Sequence, residues 1–134
     1  MDDLVVNIFN KFFSFKGRLG RLQYLKYTLI TYILFGPLFY WGYLRIVDAN
    51  KDSVTALALA LSLSFLVWTN VSLQIRRFHD VEKSGAWVIL NFFIIPGSLL
   101  SNVAGWGLAL WLLLFKGTDG PNKYGDDPLK NINI

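Results

Sequence analysis

The chain has 134 residues, of which 54% are hydrophobic and only 16% are charged, and its formal net charge is +4. Soluble domains carry about 25% charged residues, so this composition excludes an ordinary soluble protein and indicates one domain surrounded by lipid. The sequence contains no cysteine, which excludes disulfides, thiolate metal sites and a cysteine nucleophile. Because the basic residues flank apolar segments, their charge favours membrane orientation over nucleic-acid binding.

Residues 1–15 carry apolar side chains at helical spacing, opposite polar ones, behind Asp2 and Asp3. The pattern predicts an amphipathic helix with acidic residues at its N-terminus. Two placements are open for this helix. It lies in the membrane interface with its apolar face in the lipid, or the same face packs on the protein's own helices.

The first long apolar segment covers residues 24–46, which is enough to cross a hydrocarbon core of about 30 Å. Lys26 and Arg45 can extend their charged ends to the two membrane interfaces. A short polar connection then leads to a second apolar segment, residues 54–75. We therefore predict that the two segments form an antiparallel helical hairpin.

Residues 86–115 form a third apolar stretch, which has no charge and is too long for one straight helix across the core. Pro96-Gly97 interrupts it. We expect two shorter helices, 86–95 and 99–115, in a tight or partly re-entrant membrane hairpin; a single tilted, kinked span is the alternative. The tail, residues 116–134, is polar and rich in turn-forming residues.

Together the segments predict an all-α integral membrane protein: a small helical bundle of three to four membrane segments with an N-terminal amphipathic interfacial helix. Basic residues concentrate before the first segment, between the second and third, and in the tail. The positive-inside rule then predicts a multi-pass protein whose N-terminus, charged segment 76–85 and C-terminus all lie in the cytoplasm.

Charged and glycine-containing motifs occur in a characteristic order along the chain. They are Phe15-Lys16-Gly17-Arg18 with Arg21 and Tyr24, Arg76-Arg77-Phe78-His79-Asp80, Lys83-Ser84-Gly85-Ala86-Trp87, Pro96-Gly97, and Lys116-Gly117-Thr118-Asp119-Gly120-Pro121-Asn122-Lys123-Tyr124-Gly125 with Asp127-Pro128. In these motifs the chain resembles the bacterial inner-membrane proteins grouped as domain of unknown function 805. The family usually has paired tryptophans where this chain has Ala86-Trp87, and often an aromatic residue at Leu25; both are packing positions. The resemblance implies a bacterial inner-membrane location, a shared topology and a polar cluster, but no reaction.

The candidate functional residues are polar and fall into three groups. Basic side chains near the cytoplasmic ends of the helices are predicted to bind anionic lipid or a protein partner: Arg18, Arg21, Arg76, Arg77, Lys83 and Lys116. A structural polar cluster, in which Asp80 pairs with an arginine and the tail hydrogen-bonds back to segment 76–85, is predicted for His79, Asp80, Ser84, Asn122 and Tyr124. Intramembrane polar side chains either bond between helices or line a solute path: Asn70, Gln74 and Asn91.

His79 is the only histidine, and it lacks partners at the spacing of a zinc site. We predict a structural role for it, with no metal and no cofactor. The glycine-rich motif at residues 117–125 is not preceded by a strand and lacks the Gly-Lys-Ser/Thr order of a phosphate-binding loop, so nucleotide binding is not expected.

These patterns favour a non-enzymatic scaffold or accessory subunit of a larger membrane complex, with its basic cytoplasmic face on anionic lipid, on other subunits or on a second copy. One alternative is a small-solute or ion permease acting as an oligomer, with Asn70, Gln74 and Asn91 facing water. The second is an enzyme acting on lipid head groups through His79 and Asp80. No nucleic-acid partner is expected.

Overall fold

A computed structural model of the chain describes residues 9–10, 12–47, 53–90 and 99–130. Over these ranges it contains helix α1 (Arg21–Val47), helix α2 (Ser53–Asp80), a short 3-10 helix (Gly85–Ile89) and helix α3 (Leu99–Leu114). No strand occurs in the described part, where the tail has an isolated antiparallel bridge between Asn122 and Gly125.

Helices α1 and α2 pack along each other. Thr55, Ser62 and Thr69 are all buried and lie seven residues apart, so they share one face of the helix. Two of the three hydroxyl groups bond within α2: Ser62 Oγ donates to a carbonyl of its own helix at 2.9 Å, and Thr69 Oγ1 does so at 2.8 Å. At Gly42 of α1 an added Cβ would lie 3.2 Å from a side-chain atom of α2.

The outward faces of these two helices are apolar. The exposed large side chains include Leu29, Ile33 and Leu34 on α1 and Val54, Leu57 and Leu61 on α2. Among the described helices, α2 alone is long and apolar enough to cross a membrane by length and composition, with a mean hydropathy of 1.8 over its best 18-residue stretch. The membrane segments predicted at 24–46 and 86–115 remain predictions.

The described part of the predicted N-terminal helix lies against the protein's own helices. The Phe12 ring meets Tyr27 edge-on at 5.4 Å, and the Phe13 ring meets Phe65 at 5.3 Å. Ser72 Oγ of α2 donates to the backbone carbonyl of Ser14 at 2.6 Å. Residues 1–8 and 11, which make up most of that predicted helix, lie outside the described residues.

The hydrophobic core sits at the end of the bundle where α1 begins and where α2 and α3 end. Its buried members are Leu19, Tyr24, Leu73, Phe78, Val88 and Leu112. Of the segment predicted as helix 86–95, residues 86–90 are described, and residues 86–89 of these belong to the 3-10 helix. Ser84 caps this helix with its side chain, which accepts from the Ala86 N–H at 3.2 Å, and Trp87 N–H bonds to the Ser84 carbonyl at 3.2 Å. These short-range bonds set a tighter three-residue period and bury Val88.

Candidate functional site

Three charged side chains meet inside this end of the bundle, and we call Arg18, Arg77 and Asp80 the arginine–aspartate cluster. The Asp80 carboxylate lies between two guanidinium groups: Arg18 Nη2 is 3.0 Å from Oδ1, and Arg77 Nη1 donates to Oδ2. The side chains of Arg18, Arg77 and Asp80 are 1%, 0% and 4% exposed. The spacing of three residues along α2 puts Arg77 and Asp80 on one helix face, whereas Arg18 arrives from a position 62 residues away.

Arg77 also closes the C-terminal end of helix α3. Its Nε donates to the Leu112 carbonyl at 2.6 Å, and its Nη2 donates to the Phe115 carbonyl. The last carbonyl groups of a helix have no partner within the helix, so a buried helix end needs outside donors. Arg77 supplies them and thereby joins α2 to α3.

Arg18 likewise donates hydrogen bonds to backbone carbonyls, in this case those of the tail. Its Nη1 donates to the Gly120 carbonyl at 2.5 Å, and its Nη2 donates to the Thr118 carbonyl at 2.5 Å and to the Thr118 hydroxyl at 3.1 Å. Gly120 has a φ of +78°, a conformation that residues with a Cβ rarely adopt. This backbone geometry turns two carbonyl groups of the tail toward one guanidinium.

The tail also contacts the end of α2 directly. Thr118 donates to the Asp80 backbone carbonyl through both its N–H, at 2.9 Å, and its hydroxyl, at 3.2 Å. Asn122 Nδ2 donates to the His79 carbonyl at 3.0 Å and to the Thr118 hydroxyl at 3.0 Å. Gly117 passes so close to the Asp80 carboxylate that an added Cβ would overlap it. The tail is therefore part of the folded end of the bundle.

His79 and Asp80 are adjacent in sequence but have separate partners. His79 Nδ1 is 3.1 Å from the Gly17 carbonyl, and because a carbonyl only accepts, this nitrogen is the donor. The His79 ring stacks on Tyr124, with ring centres 3.9 Å apart and planes 6° apart. Tyr124 was expected to hydrogen-bond back to segment 76–85, but its contact is this ring stack, and its N–H instead bonds to Asn122 Oδ1 at 2.9 Å.

The cluster contains two positive charges and one negative charge. Buried charges are tolerated only when they are paired and hydrogen-bonded, and the carbonyl groups of α3 and the tail offset the excess positive charge.

Outside the helices, the Asp127 carboxylate accepts hydrogen bonds from the N–H groups of Leu129 at 2.9 Å and Gly120 at 3.0 Å. These two donors stabilise the carboxylate and lower the pKa of Asp127 below its usual value of 3.8.

The six basic residues predicted to bind lipid or a partner separate into different environments. Arg18 and Arg77 are buried, and their donors go to internal acceptors, so in this structure they do not face lipid or a partner. Arg76 is half-buried and donates to the Asn10 carbonyl at 3.4 Å. The exposed ones are Arg21, Lys83 and Lys116.

Among the three polar residues predicted to lie within the membrane, Asn70 forms local hydrogen bonds. Asn70 Nδ2 donates to the Leu66 carbonyl at 2.7 Å, and the Tyr32 hydroxyl of α1 donates to Asn70 Oδ1 at 3.4 Å. Gln74 is half-buried, and it also has a partner. Asn91 lies outside the described residues. Across the described part of the chain, no group of three histidine, cysteine, aspartate or glutamate side chains could hold a metal ion.

Sequence reasoning missed the acceptors that complete the cluster, because they are backbone groups. The carbonyls of Leu112, Phe115, Thr118 and Gly120 carry no side-chain signature. One signal was present at Gly117, because a glycine can mark a close approach of two parts of the chain.

The described part of the chain is helical, with one helix long and apolar enough to cross a membrane and a buried charge cluster at one end of the bundle. The chain belongs to the family described as "Protein of unknown function (DUF805)", which matches residues 12–126, so the resemblance seen in the motifs is confirmed.

Curated relatives are similar over most of their length. The chain is 31% identical to "Inner membrane protein YhaI" of Escherichia coli (strain K12), over 92% of each chain. It is 32% identical to "Uncharacterized protein YiiR" over 86% of each, and 28% identical to "Inner membrane protein YhaH" over 94% of this chain and 96% of that one, both from the same strain. No solved structure matches. Family membership and these relatives place the chain in the bacterial inner membrane.

Proposed function

We propose that the protein is a non-enzymatic, multi-pass scaffold or accessory subunit of a larger inner-membrane complex. The observation that carries this proposal is the arginine–aspartate cluster, whose charged groups all bond to each other or to the backbone. An enzyme site instead presents reactive groups toward a substrate. A cluster used in this way stabilises a fixed polar surface at one end of the bundle, which suits a protein that others dock on.

In the proposed topology the chain crosses at 24–46 and 54–75, and the stretch 86–115 enters and returns. The termini and the arginine–aspartate cluster then lie on the cytoplasmic side, as the distribution of basic residues favours. The exposed side chains of Arg21, Lys83 and Lys116 would face the anionic surface of that leaflet, where each basic residue contributes about 1 kcal/mol of attraction.

The two alternative functions have less support from the geometry. A lipid-head-group enzyme would need His79 and Asp80 to act on one bound molecule, whereas the His79 ring lies between Gly17 and Tyr124 and the Asp80 carboxylate lies between two arginines. A permease would need Asn70 to face water, and its amide is bonded to its own helix and to Tyr32.

The test is purification at native expression levels with the surrounding lipid retained, followed by mass identification of everything that co-purifies. We expect another membrane protein in a fixed ratio to this chain. Recovery of the chain alone with lipid would contradict the subunit role.

The topology is tested separately with a reporter fused after Ile134. A cytoplasmic signal is expected. A signal only on the outer side would contradict the entry and return of residues 86–115 and would leave three crossings.

A further inference from the structure

A shallow pocket of about 100 Å³ lies between the start of α1 and the returning tail. The residues that line it include Gly20, Leu22, Asp80, Gly117, Thr118 and Pro128. Four further charged side chains line it: Arg21 of α1, and Lys116, Asp119 and Asp127 of the tail. The proposed subunit role uses Arg21 and Lys116 only as part of an exposed basic surface and does not use the pocket between them.

The position of the pocket matches the boundary between the apolar and polar parts of a membrane. Leu22, which lines the pocket, is highly exposed and directly follows Arg21. Leu114 and Phe115 are also exposed and directly precede Lys116. A basic residue next to exposed apolar side chains is typical of the membrane interface, where the apolar part meets acyl chains and the charge meets head groups. A molecule that fits here has a charged head beside an apolar body, which describes a membrane phospholipid.

The signs of the lining charges restrict the head group. Arg21 and Lys116 are positive, Asp119 and Asp127 are negative, and their sum is zero. The fifth charge, on Asp80, is already paired with two arginines. A head group with only negative charge would meet two carboxylates as well as two cations, so the pocket does not favour it. A head group that carries both signs has an opposite partner for each.

The chemistry of the cationic group also decides which head group fits the two carboxylates. Carboxylates accept hydrogen bonds, and a primary ammonium has three N–H donors, whereas a quaternary ammonium has none. The two N–H donors on Asp127 lower its pKa, so this carboxylate is ionised at neutral pH. The Lys116–Asp119 ion pair, at 2.8 Å, is largely exposed. Exposed pairs contribute little to stability, so this pair can separate to admit a ligand.

We propose that the pocket binds the head group of an aminophospholipid, with its phosphate at Arg21 and Lys116 and its primary ammonium at Asp119 and Asp127. The inference rests on the membrane location in the proposed function and does not depend on the subunit role. The two proposals are therefore separable: a lipid preference can be measured on the purified chain without any protein partner.

The experiment uses the full chain, purified in detergent, stripped of lipid and mixed with equal amounts of phosphatidylethanolamine, phosphatidylglycerol and phosphatidylcholine of matched acyl length. Bound lipid is counted on the folded protein by native mass spectrometry. We expect phosphatidylethanolamine to be bound about tenfold more tightly than phosphatidylcholine, a difference of about 1.4 kcal/mol. Equal binding of these two lipids, or stronger binding of phosphatidylglycerol, would overturn the proposal.

Matched variants assign the preference to the pocket. Arg21→Gln and Asp119→Asn should each reduce it, whereas Lys26→Gln and Asp126→Asn, which make the same charge changes at exposed positions that do not line the pocket, should leave it unchanged. Because Arg21 and Asp119 are exposed, all four variants are expected to fold. An equal effect of the pocket and control variants would overturn the assignment.

A competition measurement distinguishes the head group from free phosphate. Free phosphoethanolamine should displace the bound lipid more effectively than inorganic phosphate at the same concentration. Equal displacement by both would overturn the role given to the two carboxylates.

Discussion

Replacing Asp80 with asparagine should destabilise the protein, because it removes the negative charge of the arginine–aspartate cluster. The substitution keeps the shape of the side chain but removes the only carboxylate between Arg18 and Arg77. Removing one partner of a buried ion pair typically costs about 3–5 kcal/mol of unfolding free energy, because the remaining charge is left unpaired. Here two guanidinium groups would lose their counter-ion, and the new amide would also direct N–H groups at one of them.

The carbonyl acceptors of the two arginines survive the substitution, so we expect a loss near the lower end of that range, about 3 kcal/mol. Protein stability totals about 5–15 kcal/mol, so a loss of this size is easily measured. Unfolding of the purified chain in mixed detergent micelles, followed by the fluorescence of its five tryptophans, gives the difference in unfolding free energy.

The matched control is Asp119→Asn, which makes the same chemical change in an ion pair whose two side chains are 62% and 76% exposed. Exposed pairs contribute about 0–1 kcal/mol, so this variant should unfold close to the wild type. If Asp80→Asn also unfolds within about 1 kcal/mol of the wild type, the arginine–aspartate cluster is not a stabilising element and the reasoning fails.

Three further predictions test the tail. Gly117→Ala should lower the melting temperature, because the new Cβ overlaps the Asp80 carboxylate. The control Gly107→Ala should not lower it, because a Cβ there meets nothing within 4 Å. Equal melting temperatures of the two variants would contradict the close approach of Gly117 to Asp80. Asn122→Ala should cost about 1–3 kcal/mol, since it removes two part-buried hydrogen bonds, to the His79 carbonyl and the Thr118 hydroxyl, and each such bond contributes about 0.5–1.5 kcal/mol. Combined with Asp80→Asn it should cost less than the sum of the two, and strict additivity in chemical unfolding would show that the sites are not coupled. The folded-state pKa of Asp127 lies below 3.8, so the stability that the ionised Asp127 contributes is complete above that pH and is lost as the pH falls through the folded pKa. Asp127→Asn should remove this part of the acid sensitivity in thermal melts recorded from pH 7 to pH 3. An unchanged dependence of the melting temperature on pH would contradict the assignment.

The position of α2 could largely be predicted from the sequence pattern. The predicted apolar segment 54–75 falls inside the helix Ser53–Asp80, and the motif at its end contains two of the three members of the cluster. The sequence did not indicate which arginine is buried, since Arg76 and Arg77 were both predicted to bind lipid or a partner. In the structure Arg77 lies four residues after the buried Leu73 and three before Asp80, so all three share one face of α2.

Other parts could not be predicted because they depend on contacts distant in sequence. Arg18 occurs in a basic turn that resembles a lipid-binding segment, and its burial follows only from the arrival of Asp80 and the tail at the same place. The stacking of Tyr124 on His79 could not be predicted for a related reason. A tyrosine side chain can donate a hydrogen bond or stack on another ring, and the position of the His79 ring decides between the two.

The sequence by itself determined the apolar helices, the bacterial inner-membrane family and the set of polar residues that gather at one end of the bundle, because periodicity, length and local motifs are local properties of the chain. Only the tertiary structure decided which charges are buried, which backbone carbonyls they bind and where a charged pocket remains open. The physical reason is that a buried charge is stable only with all its partners in place, and for Arg18, Arg77 and Asp80 those partners come from four separate parts of the chain.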